Sequence, residues 1–266
     1  MAPSIDYQSV ASIYEAMRVE KVNGMTVSDL VGGGYPFPIA VHFMSHLVQY
    51  ADLCRTDNIW DIGCGCGRLA AALTQHIGEQ GSYCGVDVIA GLVDFANRHI
   101  ASRFPNFRFL TLQQKNPAYA RWQSAGKSPV LKSLDEACAP GTIDLCIATS
   151  LFTHLDTAMT RGTLQSMHRA LKPDGRAFIS LFLLDRVTSE AMRRGTPAFR
   201  FSHQHERGVW VENAASPLSA LAFSLEAFFE LLAEQRFYVD KMLYGGWAGR
   251  RRFTSGQDIM LIRPMA

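Results

Sequence analysis

"IWDIGCGCGRLA", Ile59 to Ala70, decides the fold. An apolar run ends in Asp61. Three glycines follow at alternate positions, Gly63, Gly65 and Gly67, with Cys64 and Cys66 between them. Glycine tolerates positive φ and lets another group lie against the backbone. The residues after the bend, "GRLAAALTQHI" (67–77), read as a helix, whose first N–H groups have no partner within the helix. Such a bend either packs a strand against a helix or receives a ligand. Asp87 favours the ligand, because it ends the next strand, "SYCGVDV" (82–88). A carboxylate at that place accepts hydrogen bonds from ribose hydroxyls.

Working outward, strands and helices alternate. "NIWDI" (58–62), 82–88, "FRFLTL" (107–112), "IDLCIATS" (143–150) and "GRAFISLFLL" (175–184) read as strands. "GLVDFANRHIASRF" (91–104) and "TAMTRGTLQSMHRAL" (157–171) read as the helices between them. This alternation implies right-handed crossovers and a parallel sheet. Later, "SLEAFFELLAEQ" (224–235) is a helix with Ser224 as N-cap, and 237–244 and 257–263 are two final strands able to pair antiparallel. Residues 198–212 read as short extended pieces with turns. Toward the N-terminus, apolar residues recur at helical spacing between Pro38 and Ala51, after a "GGGYP" loop at 32–36. The expected fold is therefore α/β. It has a doubly wound, seven-stranded, mostly parallel sheet with one antiparallel edge strand, an N-terminal helical cover and lid insertions. We expect one domain over 1–266, with a cover at 1–55, a binding core at 56–184, and lid elements with the final strands at 185–266.

The whole chain sets limits. Its 266 residues carry a formal net charge of +2, which gives no support for nucleic acid as a partner. The run Arg250-Arg251-Arg252 reads as a solvated turn. No apolar stretch is long enough to span a bilayer, and the first residues lack a secretory pattern. The six cysteines show no framework spacing, which suits reduced thiols in the cytoplasm. Partnership with a small molecule is expected; oligomeric state is not readable.

The glycine spacing narrows the ligand. Gly-x-Gly-x-Gly differs from the dinucleotide pattern Gly-x-Gly-x-x-Gly, because position 68 is Arg, and no phosphate-loop motif is present. Four segments in order, "WDIGCGCGRLA", "YCGVDV", "IDLCIATSLFTHL" and "LKPDGRAFISLFLL", resemble the successive motifs of class I S-adenosylmethionine-dependent methyltransferases over about residues 55–184. The resemblance implies S-adenosylmethionine as cofactor and S-adenosylhomocysteine as product. It further implies that Asp61 and the loop Gly63, Cys64, Gly65 and Gly67 lie along the methionine part. Asp87 would hold the ribose and Val88 would pack on the adenine. Gln113 and Gln114 stand where many relatives have an acidic residue at the adenine edge. Thr149 and Ser150 would meet the methionine ammonium.

The methyl acceptor is less constrained. His154, four residues past the fourth strand, is the candidate general base for an oxygen acceptor, with helix capping or a bond to Asp156 as its alternative role. Cys64 and Cys66 read as small fillers beside the ligand rather than as catalytic thiols. His42 and His46, His203 and His205, with Arg200, Trp247 and Arg250, are candidates for a substrate mouth by their placement in the two variable regions. No metal site is expected, since neither histidine pair has further ligands in a zinc pattern. Phe223, Phe228, Phe229, Leu231 and Leu232 read as core. Phe37, Phe43, Tyr35 and Trp210 read as either core or acceptor pocket. "NPAY" (116–119) resembles the signature of amino-nitrogen methylation but follows the third strand rather than the fourth, so a loop near the adenine is its expected role. The expected reaction is methyl transfer to a small molecule, at oxygen. Nitrogen or carbon acceptors, an RNA substrate, a nicotinamide-dependent oxidoreductase and a non-catalytic cofactor-binding protein are the alternatives.

Overall fold

The computed structural model describes residues 7–113, 126–195 and 197–265. Its contacts divide the chain into two compact units, 1–146 and 147–266.

In the first unit, helix α1 (Tyr7–Val19) leads through a small hairpin, β1 (Lys21–Val22) and β2 (Met25–Thr26), into α2 (Val27–Leu30) and α3 (Pro36–Tyr50). The α3 helix begins two residues before the expected Pro38, at Pro36, because proline's fixed φ suits the first turn. The "GGGYP" loop is confirmed, with Gly32, Gly33 and Gly34 all at positive φ.

Next come β3 (Asn58–Ile62), α4 (Arg68–Leu73), β4 (Ser82–Asp87), α5 (Ala90–Ala96), β5 (Phe107–Leu112), β6 (Val130–Leu131) and β7 (Ile143–Ala148), which reaches the unit boundary. A π-helical turn, Asn97–Ala101, extends α5 through most of the expected helix. The strand order is β7-β3-β4-β5-β6, with β3, β4, β5 and β6 parallel to one another. The central strands are apolar on both faces, as a sheet covered by helices requires. Strand order reverses at β3, the place where doubly wound sheets bind ligands beyond their strand ends.

In the second unit, α6 (Thr157–Ala170) precedes β8 (Leu171–Leu181), β9 (Leu183–Leu184) and α7 (Arg186–Arg194). β10 (His203–Glu206), β11 (Val209–Val211), β12 (Leu221–Ser224), α8 (Leu225–Glu234), β13 (Phe237–Leu243) and β14 (Asp258–Pro264) follow. Here the expected topology needs correcting. The antiparallel strand is β14, and it lies between β8 and β13 rather than at the edge. The expected strand 175–184 also divides. β8 ends at Leu181, and Leu183–Leu184 pairs instead with β12 in a separate sheet, β10-β11-β12-β9. A buried carboxylate explains the divergence, since Asp258 Oδ2 accepts the Leu183 N–H at 3.0 Å.

Ser224 caps α8 as expected, its hydroxyl accepting from Ala227 N. Phe223, Phe228, Leu231 and Leu232 are core, whereas Phe229 is 42% exposed. Phe229 follows Phe228 directly on α8, so one ring points in and its neighbour out. Among the described residues no helix is long and apolar enough to cross a membrane.

Candidate functional site

The bend after β3 is built from backbone that only glycine adopts readily. Gly63, Gly65 and Gly67 lie at φ 78°, 56° and 77°. The turn is pinned to β4, because Gly63 N and Cys64 N both donate to Val86 O, at 2.8 and 3.1 Å. Gly67 is the N-cap of α4 in a left-handed conformation.

Two of the three glycines also make room for the protein itself. A Cβ on Gly65 would stand 2.8 Å from Val31 Cγ1, and one on Gly67 would stand 2.7 Å from Ile100 Cδ1. The N-terminal segment therefore presses directly on the bend. Arg68 Nη1 donates to Val31 O at 3.3 Å, and the Tyr14 hydroxyl donates to Arg68 O at 3.2 Å. Sequence spacing identifies the glycines but not this cover, which comes from residues more than thirty positions away.

Asp87, at the end of β4, is half-buried and closes the bend from the other side. Its Oδ2 accepts from Gly65 N at 2.8 Å and its Oδ1 from Ile89 N at 2.9 Å. Burial raises its pKa against the opposing pull of these backbone bonds. The Val88 N–H is a third backbone donor, and with two lone pairs on each carboxylate oxygen acceptor capacity is left for a ligand.

Asp61, on β3, is 2% exposed. The Tyr83 hydroxyl donates to its Oδ2 at 2.6 Å, while Oδ1 is buried without a hydrogen-bond partner. Burial, with Asp87 nearby, pushes its pKa up to about 7. Tyr83 is a partner that sequence reasoning missed. Its signal was a tyrosine inside an apolar strand, since a buried phenol must find an acceptor.

Cys64 and Cys66 are buried, and burial raises both thiols, Cys66 to about 11. The helix N-terminus does not overcome this desolvation, which disfavours the thiolate form. Val88 is half-buried just beyond Asp87, and Gln113 is exposed past the end of β5, its N–H donating to Leu131 O at 2.8 Å. Gln114 and the "NPAY" stretch fall outside the described residues.

The remaining candidates disperse. His42 is exposed on α3, its pKa lowered by partial burial and by His46. His46 is buried one turn on, with Nδ1 2.7 Å from His42 O. Of the aromatic candidates, Tyr35 is 69% exposed, while Phe37, Phe43 and Trp210 are half-buried. Among the described residues no cluster of three or more histidine, cysteine or acidic side chains is arranged to hold a metal.

In the second unit, Arg200, His203 and His205 are exposed on or before β10. Trp247 is not at an open mouth. It is 3% exposed, packs on Phe182 and Phe201, and donates its indole N–H to Asp258 Oδ2 at 2.7 Å. Its place is structural because the ring is apolar and its one polar atom is taken. Arg250 is likewise no free turn residue. It pairs with Asp185 at 2.6 Å and lies over the Tyr244 ring, whereas Arg251 and Arg252 are exposed.

Thr149 and Ser150 are half-buried. Ser150 sits at φ 57°, a strained value for a residue with a Cβ. The strain is held by a small network. Ser150 N donates to Ser180 Oγ at 2.7 Å, and both serine hydroxyls donate to Gln257 Oε1, at 3.1 and 2.6 Å. Ser180 and Gln257 carried no signal in the sequence.

His154 lies in a 3₁₀ turn, Phe152–His154, with Nδ1 3.0 Å from Leu218 O. Asp156 instead caps α6, its side chain accepting from Met159 N at 2.8 Å. Burial lowers the His154 pKa.

Residues 60–177 match the family described as "Methyltransferase domain". This stretch is a methyltransferase domain. A curated relative, the arsenite methyltransferase of Aquipseudomonas alcaligenes, is 24% identical over 191 residues, covering 68% of this chain and 51% of its own. The chain thus spans about half the length of the curated relative it matches. Two solved structures share the fold. One is 1,6-didemethyltoxoflavin-N1-methyltransferase from Burkholderia thailandensis with bound S-adenosylhomocysteine. It has TM-score 0.56 and 18% identity, covering 100% of this chain and 93% of that one. The other is geranyl diphosphate methyltransferase in complex with its methyl donor. It has TM-score 0.55 and 13% identity, covering 100% and 97%. The methyltransferase domain contains the bend, Asp61, Asp87 and His154 alike.

Proposed function

We propose that the protein transfers a methyl group from S-adenosylmethionine to a small-molecule oxygen. The observation that carries the cofactor is Asp61 Oδ1, a buried acceptor without a partner beside a glycine bend. An isolated buried polar atom costs roughly 1–3 kcal/mol, and a donor from the methionine part of the cofactor relieves that cost. Asp87 holds the ribose with its remaining lone pairs and braces the bend through Gly65 N. When bound, S-adenosylmethionine supplies a methyl group on a positively charged sulfur, already activated for in-line displacement.

The chain's own contribution is to align the acceptor and take its proton. His154 suits the second task. Its Nδ1 lies 3.0 Å from Leu218 O, the Ser219 backbone is a further hydrogen-bond partner, and burial lowers its pKa, so the ring is neutral near pH 7 and able to take a proton. The near-neutral net charge supports a small acceptor over a nucleic acid. The relatives named for toxoflavin, geranyl diphosphate and arsenite substrates are consistent with that class.

Calorimetry tests the cofactor. We expect binding of S-adenosylhomocysteine, no binding of NAD, and at least about a hundredfold loss of affinity in Asp87→Ala, about two charged hydrogen bonds' worth. Unchanged affinity overturns the site. For His154→Gln we expect intact cofactor affinity and turnover slower by roughly a hundred- to ten-thousandfold. Equal turnover removes it as the base.

A further inference from the structure

A second chemical centre lies further back along β4. Cys84 is the third residue of β4, while Asp87 is its last. Cys138 follows a 3₁₀ turn at Leu134–Glu136. Both thiols border a cavity of about 440 Å³, together with Asn106, Arg108 and Tyr83. They are otherwise well covered, at 4% and 7% exposure, and the cavity gives a small reagent a route to them.

The two thiols are hydrogen-bonded to each other. Arg108 joins them. Its Nη2 donates to Ala137 O at 2.9 Å, and Cys84 Sγ lies 3.9 Å from the same oxygen. The Cys84 thiol and a guanidinium thus converge on one carbonyl, with the Cys138 thiol bonded to Cys84, beside a solvent-reached hollow. We propose that Cys84 and Cys138 are a redox-reactive dithiol that a hydroperoxide converts into an intramolecular disulfide.

The charge pattern assigns the roles. The Cys138 hydrogen bond and then Arg108 hold the Cys84 thiol below its usual range, whereas that same bond and burial hold Cys138 above it. Cys84 is therefore the attacking thiolate, since a neighbouring cation and a thiol donor favour the charged form. Its sulfur attacks the outer peroxide oxygen. An S–O bond forms, the O–O bond breaks, and the leaving alkoxide takes a proton to become an alcohol. The Cys138 sulfur then attacks the sulfenic sulfur of Cys84. An S–S bond forms, the S–O bond breaks, and water leaves with the Cys138 proton. Two thiols are oxidised by two electrons, and one hydroperoxide is reduced to alcohol and water. The other cysteines offer internal controls. Cys54 is exposed, and Cys64, Cys66 and Cys146 are buried with thiols pushed up by desolvation.

The test uses the full-length protein treated with tert-butyl hydroperoxide. Remaining thiols are blocked with N-ethylmaleimide under denaturing conditions, and the products are mapped by peptide mass spectrometry. We expect a Cys84–Cys138 linked peptide that forms before Cys54 is lost and disappears with dithiothreitol. In Cys138→Ser, Cys84 stops at a sulfenic acid that dimedone traps. In Arg108→Gln, Cys84 oxidation slows by about tenfold, as loss of the cation reduces the thiolate fraction. The proposal is overturned if Cys84 stays a thiol while Cys54 oxidises, if the disulfide joins another pair, or if Cys84 in Cys138→Ser gives no trapped product. Mapping the wild-type chain decides the matter even if a variant fails to fold.

Discussion

Asp87 in the first unit and Asp258 in the second do the same local job with different openness. Each is a carboxylate at a strand end that collects N–H donors. Asp87 takes Gly65 N and Ile89 N, remains half-buried, and keeps acceptor capacity. Asp258 takes Leu183 N, Gly245 N and the Trp247 indole, and is 0% exposed. The number of donors does not separate a binding carboxylate from a structural one. The separation comes from what surrounds the donors. A glycine bend leaves Asp87 accessible, whereas an aromatic cluster of Phe182, Phe201 and Trp247 seals the second.

The comparison breaks first at Asp258. Asp258→Ala leaves three buried donors without an acceptor, each costing roughly 1–3 kcal/mol. We expect a loss of about 3–5 kcal/mol in urea unfolding, and a melting temperature lower by roughly 10 °C. A stable Asp258→Ala protein that has lost cofactor affinity would reverse the roles of the two carboxylates.

Next is the bend itself. Gly67→Ala combines left-handed backbone with a Cβ 2.7 Å from Ile100 Cδ1. The conformational cost is about 1–2 kcal/mol and the overpacking about 1–3 kcal/mol, so a loss near 3 kcal/mol is expected. Gly249→Ala is the matched control, at φ 88° with nothing within 4 Å of the new Cβ. It should lose only the conformational part, about 1 kcal/mol. Equal losses in the two variants would mean that packing at the bend contributes nothing.

These cases show what the sequence carried. The bend, β3, β5 and Asp87 were legible because their signals are local: apolar runs, three glycines and a carboxylate at a fixed spacing. Ser224 was legible as a cap for the same reason. Arg250 and the split after Leu181 were not, because their partners, Asp185 and Asp258, lie far off in the sequence, and Trp247 was not, because nothing local marks Asp258 as its acceptor. A tryptophan after two glycines looks the same in a loop at a pocket mouth and in a core. Only the indole N–H on a buried carboxylate tells them apart. The Val31 contact on Gly65 was hidden likewise, since the expectation of a helical N-terminal cover said nothing about which residue it presses on the bend.

Titration sharpens the contrast from a different side. The Asp61 carboxyl, near 3.8 in the unfolded chain, titrates at about 7 in the folded protein. Between those values the folded state holds the extra proton, so stability falls as pH rises from about 4 to about 7 and is level above. His42 and His154, held below 6.5, act in the opposite direction just under that value. The difference between wild type and Asp61→Asn isolates the carboxyl. The variant should gain on wild type as pH rises from 5 to 8. Cofactor affinity should follow the ionised form, rising through pH 7 in wild type and staying flat in the variant. A flat wild-type profile would place Asp61 outside the binding site.

The smallest effect is expected at a third carboxylate, Asp185, which stands between the other two in character. It caps α7 by accepting from Thr188 N, and Arg250 Nη2 lies 2.6 Å from its other oxygen. The cap and Arg250 together hold its pKa below the usual carboxylate range. Both partners of the ion pair remain partly exposed, at 13% and 18%. Water and salt therefore screen the attraction, and the helix cap survives without the arginine. Arg250→Ala should cost no more than about 1 kcal/mol, part of it from contact with the Tyr244 ring. The cost should shrink further in 1 M salt, where charges are screened within about 3 Å. A loss as large as that of Asp258→Ala would mean that Asp185 is sealed like Asp258.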